Sequence, residues 1–403
     1  MVCSSIISCF VGIKSTSLGF SASAQQGIFY YVNTNQNFIN SKTIDVKPTD
    51  NGMVILNQCS DANYASHAIQ VIELNKTMIK TSESIVNIDK LHNISGFSRQ
   101  TDGSYSVLVN SGTSQLEAMQ VKLSAAYKEA GLNKFDDLEQ SSFVSQATVG
   151  KQVLAISTHT PTKGKFDIML SCFNDNGLMV WTKKISSEPN ESADIIVADN
   201  EDNVIVLGRK YNDNATEYIP ILYKLSADGN ILWKKSGVDM PSNFYSQNIT
   251  VSKNGDIYYA CGLTLRTGVL QTKVFKLDGN GNTKRTSNLN DFTSNGALWL
   301  SSGKVLLYGS RFYTDAKQVV TKGAYMILDA DLNELSNKAL AVNDKPDSDF
   351  NYNTTTSSDL QAAIELEGGS VAMVGKVTMP QAGGNDKHNN TIVVVADAYG
   401  NYK

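Results

Sequence analysis

One pattern recurs seven times along this chain of 403 residues: a tight turn is followed at once by an apolar run rich in β-branched and aromatic side chains. The seven copies read NGMVIL, DGSYSVLV, GKQVLAI, DNVIVLG, NGDIYYACG, SGKVLLYG and GGSVAMVG, with turn residues at 52, 103, 150, 203, 255, 303 and 369. The steps between these positions are 51, 47, 53, 52, 48 and 66 residues. Such a period indicates a repeat architecture in which each copy packs against the next.

Each copy also contains a second strand and a second turn, for example ILYKLSADG and KVFKLDGNG. Asp-Gly and Asn-Gly pairs supply the positive φ angles that hairpin turns require, and Val, Ile and Tyr favour a pleated surface. Further apolar runs before the first turn and after the second bring each copy to four strands. Four strands per ~50 residues, seven times, predict an all-β chain: a seven-bladed β-propeller of four-stranded antiparallel blades formed by residues 25–403 as one domain. Six blades with a divergent terminal hairpin is the alternative.

The last copy stops at DAYGNYK, just past its second turn, so its fourth strand is missing. The segment GIFYYVN, from Gly27 to Asn33, is strand-like and precedes the first copy. We therefore expect this N-terminal strand to pair with the last blade and close the ring, because a closed ring leaves no open sheet edge. One stretch competes with this all-β interpretation: TSQLEAMQVKLSAAYKEAG resembles a helix in composition, but it is in register with the strands of the second copy.

The first 24 residues contain no acidic side chain, carry the apolar stretch IISCFVGI and end in Ala22-Ser23-Ala24. This pattern predicts a secretory signal peptide, residues 1–24, and an exported protein that is periplasmic, outer-membrane-associated or extracellular. A lipoprotein with Cys9 as its lipidated residue is the alternative. No other segment reaches the ~18 consecutive apolar residues of a membrane span.

Composition limits the partners. The formal net charge is -4 and the isoelectric point about 5.7, so the chain has no overall basic field for nucleic acid. Cysteines at 59, 172 and 261 are widely spaced and lack metal-ligand spacing, which predicts small buried thiols in strands. The four histidines, His67, His92, His159 and His388, form no H-x-x-x-H or H-E-x-x-H motif, and no nucleophile elbow or P-loop is present. These observations favour a non-catalytic protein and predict no cofactor and no metal.

The third and fourth copies contain GLMVW and GNILW, each with an Asp one or two residues earlier. These units resemble the Gly-x-x-x-Trp docking motif of PQQ-like quinoprotein propellers and of uncharacterised secreted bacterial repeat proteins. The resemblance implies a propeller fold in which Trp181 and Trp233 pack between neighbouring blades. Dehydrogenases of this class carry a vicinal cysteine pair or its equivalent, a calcium site and a catalytic Asp. Adjacent cysteines are absent from this sequence.

Loop length separates the two faces of such a disc. The first and third turns of each copy are tight, whereas the loops between the second and third strands are long, as in RKYNDNATEY, LRTGVLQT and SRFYTDAKQVVTKG. Long loops on a rigid scaffold are the usual place for function. Cations recur where these loops leave the second strand in copies four to seven, with aromatic residues beside two of them. The predicted ligand-binding set is Arg209, Lys210, Tyr211, Arg266, Arg311, Tyr313 and Lys376.

These residues predict a basic-aromatic crescent near the central opening that would bind a carboxylate or sulfate. The competing interpretation is a set of solvated cations paired with Asp213, Asp315 and Asp386. The sequence thus predicts an exported, monomeric binding or scaffold module for a protein, acidic or carbohydrate ligand, with no nucleic acid partner and no transmembrane segment. The alternative is an exported carbohydrate-active or quinone-dependent enzyme with its site at the central opening.

Overall fold

The computed structural model describes residues 27–31, 37–113, 116–162, 164–186, 190–214, 216–237, 242, 244–264, 270–315, 318–340, 357–380 and 387–403. The predicted signal peptide, its Cys9, Arg266 and Asp386 lie outside these residues, as do the side chains of Tyr313 and Asp315. Within the described ranges the chain forms 28 strands and one 3₁₀ turn at Asp136–Leu138. The described part has no helix that is long and apolar enough to span a membrane.

The strands form consecutive antiparallel sheets of four, which we call units 1 to 7. Unit 1 contains β2 (Asn40–Thr49), β3 (Gly52–Ser60), β4 (His67–Asn75) and β5 (Lys80–Asn87); unit 2 contains β6 (Leu91–Arg99), β7 (Tyr105–Ser111), β8 (Glu117–Leu123) and β9 (Glu129–Lys134). Unit 3 contains β10 (Ser141–Val149), β11 (Gln152–Thr162), β12 (Lys165–Phe173) and β13 (Met179–Lys184); unit 4 contains β14 (Glu191–Ala198), β15 (Val204–Tyr211), β16 (Tyr218–Leu225) and β17 (Ile231–Ser236).

Unit 5 contains β18 (Ser246–Val251), β19 (Ile257–Thr264), β20 (Leu270–Leu277) and β21 (Thr283–Asn290); unit 6 contains β22 (Thr293–Trp299), β23 (Val305–Asp315), β24 (Gln318–Leu328) and β25 (Glu334–Ala339). Unit 7 contains β26 (Ser358–Glu365), β27 (Val371–Pro380) and β28 (Lys387–Ala396), and its fourth strand is β1 (Ile28–Tyr31) from the other end of the chain. Units 1 and 7 belong to one eight-stranded sheet through a single parallel bridge between Asn40 and Asn389.

The turns between first and second strands carry the predicted positive-φ residues. Glycine has this conformation at six of the seven predicted positions. In the fourth copy the residue with positive φ is Asp202, one residue before the predicted position. These residues are Gly52, Gly103, Gly150, Asp202, Gly255, Gly303 and Gly369. The hairpins predicted from the repeat are therefore confirmed, because a backbone with positive φ is what lets the chain reverse within two residues.

The helix-like stretch in the second copy is β-structure, as predicted. Its residues form β8 and β9, and Met119, Val121 and Leu123 on β8 are buried. Ala118 and Gln120 on the opposite face of β8 are also buried, so burial of both sheet faces outweighs the helix propensity of Ala, Glu and Lys.

The apolar core divides into seven clusters within the described residues, and each lies between two consecutive units. One of them joins the two ends of the repeat: Val46 and Ile55 of unit 1 lie in the same cluster as Val374 and Val393 of unit 7. Apolar packing therefore continues from unit 7 to unit 1.

The first strands of most units carry a β-bulge with one extra residue, and in several units this residue hydrogen-bonds to the first strand of the next unit. Ser95 Oγ donates to the carbonyl of Phe143 at 2.7 Å, and Asn295 Nδ2 donates to the carbonyl of Leu360 at 2.9 Å. The same relation links the last unit to the first, where the Thr43 N–H donates to Gln361 Oε1 at 2.8 Å. A bulge exposes backbone groups that the ladder does not satisfy, and here they are satisfied between units.

The turns between third and fourth strands pack against the preceding unit. Trp233 Nε1 donates to the carbonyl of Gly279 at 3.0 Å, and a Cβ at Gly281 would lie 3.1 Å from the indole. Trp181 lies in the same way against Gly229, where a Cβ would be 3.2 Å from its ring. The predicted packing role of Trp181 and Trp233 is therefore confirmed, and it requires glycine in the facing turn.

Candidate functional site

The predicted long loops lie between the second and third strands of each unit, but two of them are strands for most of their length. In unit 3, β11 runs to Thr162 and β12 begins at Lys165; in unit 6, β23 runs to Asp315 and β24 begins at Gln318. The prediction of long loops is wrong for these two units. Thr and Val side chains favour the extended backbone, so the hairpins continue beyond the body of the sheet. This side of the molecule is called the loop face below.

The crescent cations do not share one sheet face. Side chains alternate across a strand, so Arg209 lies on the same side of β15 as Leu207, whose cluster faces unit 5, whereas Lys210 lies on the opposite side. Arg311 follows Leu307 on β23 and also faces unit 5, from the other direction. Lys376 follows Val374 on β27 and faces unit 1. Arg209, Arg311 and Lys376 therefore extend from sheet faces that pack against different neighbouring units.

Arg209 is engaged inside the protein. Its Nε donates to Asp194 Oδ2 at 3.0 Å, and its guanidinium carbon lies 5.1 Å from the Tyr218 ring centre and 5.2 Å from that of Phe244. Gln247 donates a second hydrogen bond to the same carboxylate. Burial raises the pKa of Asp194, although Arg209 and Gln247 oppose that shift. A cation with this many partners stabilises the contact between units 4 and 5 and has little capacity left for a ligand.

Aromatic side chains form a continuous row beside Arg209. The ring centres of Phe166 and Tyr211 are 5.3 Å apart, those of Tyr211 and Tyr218 are 5.5 Å apart, and those of Tyr218 and Phe244 are 5.1 Å apart. Phe244 is buried, but Phe166, Tyr211 and Tyr218 are partly exposed on the loop face. Partly exposed rings of this kind offer a surface for the apolar faces of sugars or for a protein side chain. The predicted role of Tyr211 is thus compatible with its position.

Lys376 lies directly opposite Asp359 in the β26–β27 ladder. Burial raises the pKa of Asp359 above its ordinary value, and the charge of Lys376 opposes this shift. Asn295 Nδ2 donates to Asp359 Oδ1 at 2.6 Å. Lys376 is therefore close to a carboxylate from the first strand of its own unit and is not an isolated cation.

Arg311 differs from Arg209 and Lys376. Its Nε atom is buried and has no hydrogen-bond partner among the described residues. Directly opposite it in the β23–β24 ladder lies Lys322, which forms no ion pair within the described part of the chain. Opposed residues on neighbouring strands have Cβ atoms about 5 Å apart, and like charges at such positions are destabilising. These two side chains are the strongest candidates for binding an anion.

Sequence reasoning missed Lys322, Asp194 and Asp359. Each belongs to a strand that the repeat predicted, but their relation to the cations depends on which residues face each other across a ladder. A further missed residue is Glu191, whose side chain is fully buried at the start of β14. Its Oε1 accepts a hydrogen bond from Lys234 Nζ at 2.7 Å, and Tyr223 donates to its other oxygen. An ionisable residue at the beginning of a first strand was the available signal.

The cysteines have a structural role. Cys59, Cys172 and Cys261 are free and buried in β3, β12 and β19, as predicted. Burial raises the pKa of the Cys59 thiol to about 12 and that of Cys261 to about 11, so both remain protonated and unreactive near neutral pH. Within the described ranges there is no group of three or more His, Cys, Asp or Glu residues suited to a metal ion.

The raised pKa of Asp359 predicts a pH dependence of stability. Because the folded pKa exceeds that of the unfolded chain, the folded protein binds more protons from about pH 4 upward, and its stability falls as pH rises through the folded pKa. We expect Asp359→Asn to flatten this fall in urea unfolding curves measured between pH 4 and 8.

The matched control is Asp102→Asn. Hydrogen bonds from Ser104 lower the pKa of the exposed Asp102, so this group contributes stability that is lost as pH falls. Because that loss begins below about pH 4, replacing Asp102 should leave the profile between pH 4 and 8 nearly unchanged. If Asp359→Asn left the slope unchanged, burial would not be raising the pKa of Asp359.

The succession of four-stranded antiparallel sheets, packed side by side with their first strands adjacent, defines the class: this is a β-propeller protein. No protein-family model and no curated protein matches the chain. Among solved structures, it is similar to a protein of unknown function from Dyadobacter fermentans (12% identity, 77% of this chain and 96% of that one, TM-score 0.49). It is also similar to the β-propeller domain of the Trilobed protease from Pyrococcus furiosus (9%, 73% and 82%, 0.41) and to a neuraminidase-like protein of subtype N11 from A/flat-faced bat/Peru (8%, 93% and 94%, 0.46).

Proposed function

We propose that this chain is an exported, non-catalytic binding propeller whose loop face recognises an acidic ligand. The observation that carries the proposal is the pair Arg311 and Lys322. Two cations lie opposite each other on one sheet face, and the Nε atom of Arg311 is buried without a partner among the described residues. A bound carboxylate or sulfate would offset the repulsion between the cations and satisfy the buried N–H.

The ligand class follows from a second group of side chains on the loop face. The partly exposed rings of Phe166, Tyr211 and Tyr218 lie on the same face, so a polymer with both acidic groups and flat apolar sugar faces would find both kinds of contact. A sulfated or uronic-acid polysaccharide has this chemistry. Export is supported by the N-terminal pattern of residues 1–24 and brings the protein into contact with such polymers.

The architecture we propose is a closed seven-bladed ring in which units 1 to 7 are the blades. Its support is the pairing of β1 with β28, the apolar cluster shared by units 1 and 7, and the hydrogen bond between Thr43 and Gln361. The Gly-x-x-x-Trp contacts of Trp181 and Trp233 favour placing the protein among PQQ-like repeat propellers by architecture. Binding at the loop face requires no quinone, no metal and no second copy of the chain.

The test is a thermal-shift screen with sulfate, glucuronate and sulfated oligosaccharides, followed by calorimetry on Arg311→Gln and Lys322→Gln. We expect either substitution to weaken anion binding about tenfold, the usual effect of losing a charge-assisted hydrogen bond. Without ligand, the same substitutions should leave the free energy of unfolding unchanged or raise it by up to about 0.5 kcal/mol, because they remove repulsion between like charges.

Arg285→Gln is the matched control, since Arg285 is an exposed arginine that bonds only to the Asn333 side chain. It should alter neither binding nor stability. If no anion raises the melting temperature at millimolar concentration, or if Arg311→Gln destabilises the ligand-free protein, the two cations are ordinary surface charges and the proposal is wrong.

The second candidate is an exported carbohydrate-active or quinone-dependent enzyme. Its support is the pair of first-strand carboxyls with raised pKa, Asp194 and Asp359, because a buried carboxyl can act as a general acid. Both already bond to side chains of the fold, namely Arg209, Gln247 and Asn295, which favours a structural role for them. Hydrolysis of an acidic oligosaccharide that is abolished in Asp359→Asn would reverse this preference.

A further inference from the structure

A cavity of about 520 Å³ lies on the side of the molecule opposite the loop face, at the seam between units 7 and 1. Its walls come from β1, from the turns β2–β3 and β4–β5 of unit 1, from the turn β26–β27 of unit 7 and from β28. The apolar part of the lining consists of Phe29, Pro48, Met78, Leu366 and Val395. This volume is within the range of small-molecule sites.

The polar part of the lining is incomplete. Thr49 Oγ1 is buried and has no hydrogen-bond partner among the described residues, although Thr49 lines the cavity. A buried hydroxyl without a partner costs free energy, and a ligand oxygen would satisfy it. Thr49 therefore places a hydroxyl without a partner among the described residues at the wall of the cavity.

Two lysines also line the cavity. Lys403 Nζ donates to Ser370 Oγ at 2.6 Å, and Lys76 Nζ lies 2.9 Å from Glu367 Oε2. The Lys76–Glu367 pair is largely exposed, so it costs little to open or rearrange. Lys403 forms no ion pair with a carboxylate side chain of the described residues, although its charge lowers the pKa of Asp397, and its ammonium group can attract an anion. An apolar wall with a cation and an unsatisfied hydroxyl matches one ligand chemistry: a carboxylate on a short aliphatic chain.

We propose that this seam cavity binds a medium-chain aliphatic carboxylate, with the chain against Phe29, Met78 and Leu366 and the carboxylate between Thr49 and Lys403. The site is independent of the anion pair at the loop face, because the two share no residue. Since Phe29 belongs to the strand that completes unit 7, an occupant contacts both ends of the repeat and stabilises their association.

The test uses sodium octanoate, with octanol and octylamine as neutral and cationic analogues, on the full chain. We expect octanoate to bind best, and we expect hydrogen–deuterium exchange to slow in β1 and β28 on binding. Lys403→Met should weaken octanoate about tenfold while leaving octanol unchanged, because only the carboxylate uses the ammonium group. Leu366→Trp should fill the cavity and abolish binding of both.

Lys338→Met, a lysine of β25 that does not line the cavity, is the control for a change in net charge. Variants are compared only where circular dichroism matches that of the parent chain. Binding that survives Leu366→Trp, or protection that appears away from β1 and β28, would place octanoate elsewhere and overturn the proposal. So would equal affinity for octanoate and octylamine, or no binding at millimolar concentration. Thr49→Val is the second variant: it should weaken octanoate severalfold without affecting sulfate binding at Arg311.

Discussion

Replacing Ile28 with aspartate is expected to cost about 4 kcal/mol or more of the free energy of unfolding, the largest effect of any single substitution considered for this protein. Ile28 is almost completely buried and pairs with Val394 across the β1–β28 ladder. It lies in the same apolar cluster as Leu360 and Met373 of unit 7. An aspartate there would bury an unpaired charge and would release the strand that completes the last sheet.

The measurement is urea unfolding followed by far-ultraviolet circular dichroism, with size-exclusion chromatography to detect association through the exposed edge of β28. Where Ile28→Asp fails to fold, Ile28→Ala keeps the prediction testable and should cost about 2–4 kcal/mol. Ile231→Ala is the matched control, because Ile231 is an exposed isoleucine on the outer strand of unit 4 and should change stability by about 0.5 kcal/mol at most.

Deleting residues 27–31 should resemble Ile28→Asp, because both remove the fourth strand of unit 7. A deletion variant as stable as the parent chain would contradict closure of the ring by β1. In that case other contacts would hold units 7 and 1 together, among them the hydrogen bond from the Thr43 N–H to Gln361 and the apolar cluster that the two units share.

The second large effect is expected at Glu191. Its carboxylate is completely buried and accepts hydrogen bonds from Lys234 and Tyr223. Glu191→Ala would remove the carboxylate that bonds to the ammonium group of Lys234, which is only 19% exposed, and losing one member of a buried ion pair typically costs about 3–5 kcal/mol. Glu191→Gln keeps the shape of the side chain and one acceptor, so its cost should be smaller. Chemical denaturation at neutral pH measures both.

The double variant Glu191→Leu with Lys234→Met distinguishes a buried ion pair from a packing effect. Replacing both charges with apolar groups of similar size is often close to neutral, so the double variant should recover most of the stability lost in Glu191→Ala. Glu117→Ala is the surface control, since Glu117 and Lys134 are also 2.7 Å apart but are more than half exposed, and it should have little effect on the free energy of unfolding. Equal losses for Glu191→Ala and Glu117→Ala would show that burial does not matter at this site.

The order of strands and turns followed from the sequence because these features depend on neighbouring residues. The positive φ of Gly103 or Gly255 is a property of one residue and its turn, and the alternation of Met119, Val121 and Leu123 is visible within seven positions. The stacking of Trp181 and Trp233 was predictable for a similar reason, because each Trp stands at a constant distance from its own turn and the glycine it contacts recurs one repeat later.

The binding surface could not be predicted in the same way, because it depends on which residues meet across ladders and between units. Arg209 directly follows Gly208, whereas Arg311 is the second residue after Gly309, so Arg209 meets Asp194 on β14 and Arg311 lies opposite Lys322 on β24. A shift of one residue along a strand reverses the direction of the side chain, and the repeat alone does not say which residue of a neighbouring strand lies opposite it. The seam cavity is a stronger case: Phe29 and Val395 line it together although 366 positions separate them, so the site depends on the pairing of β1 with β28.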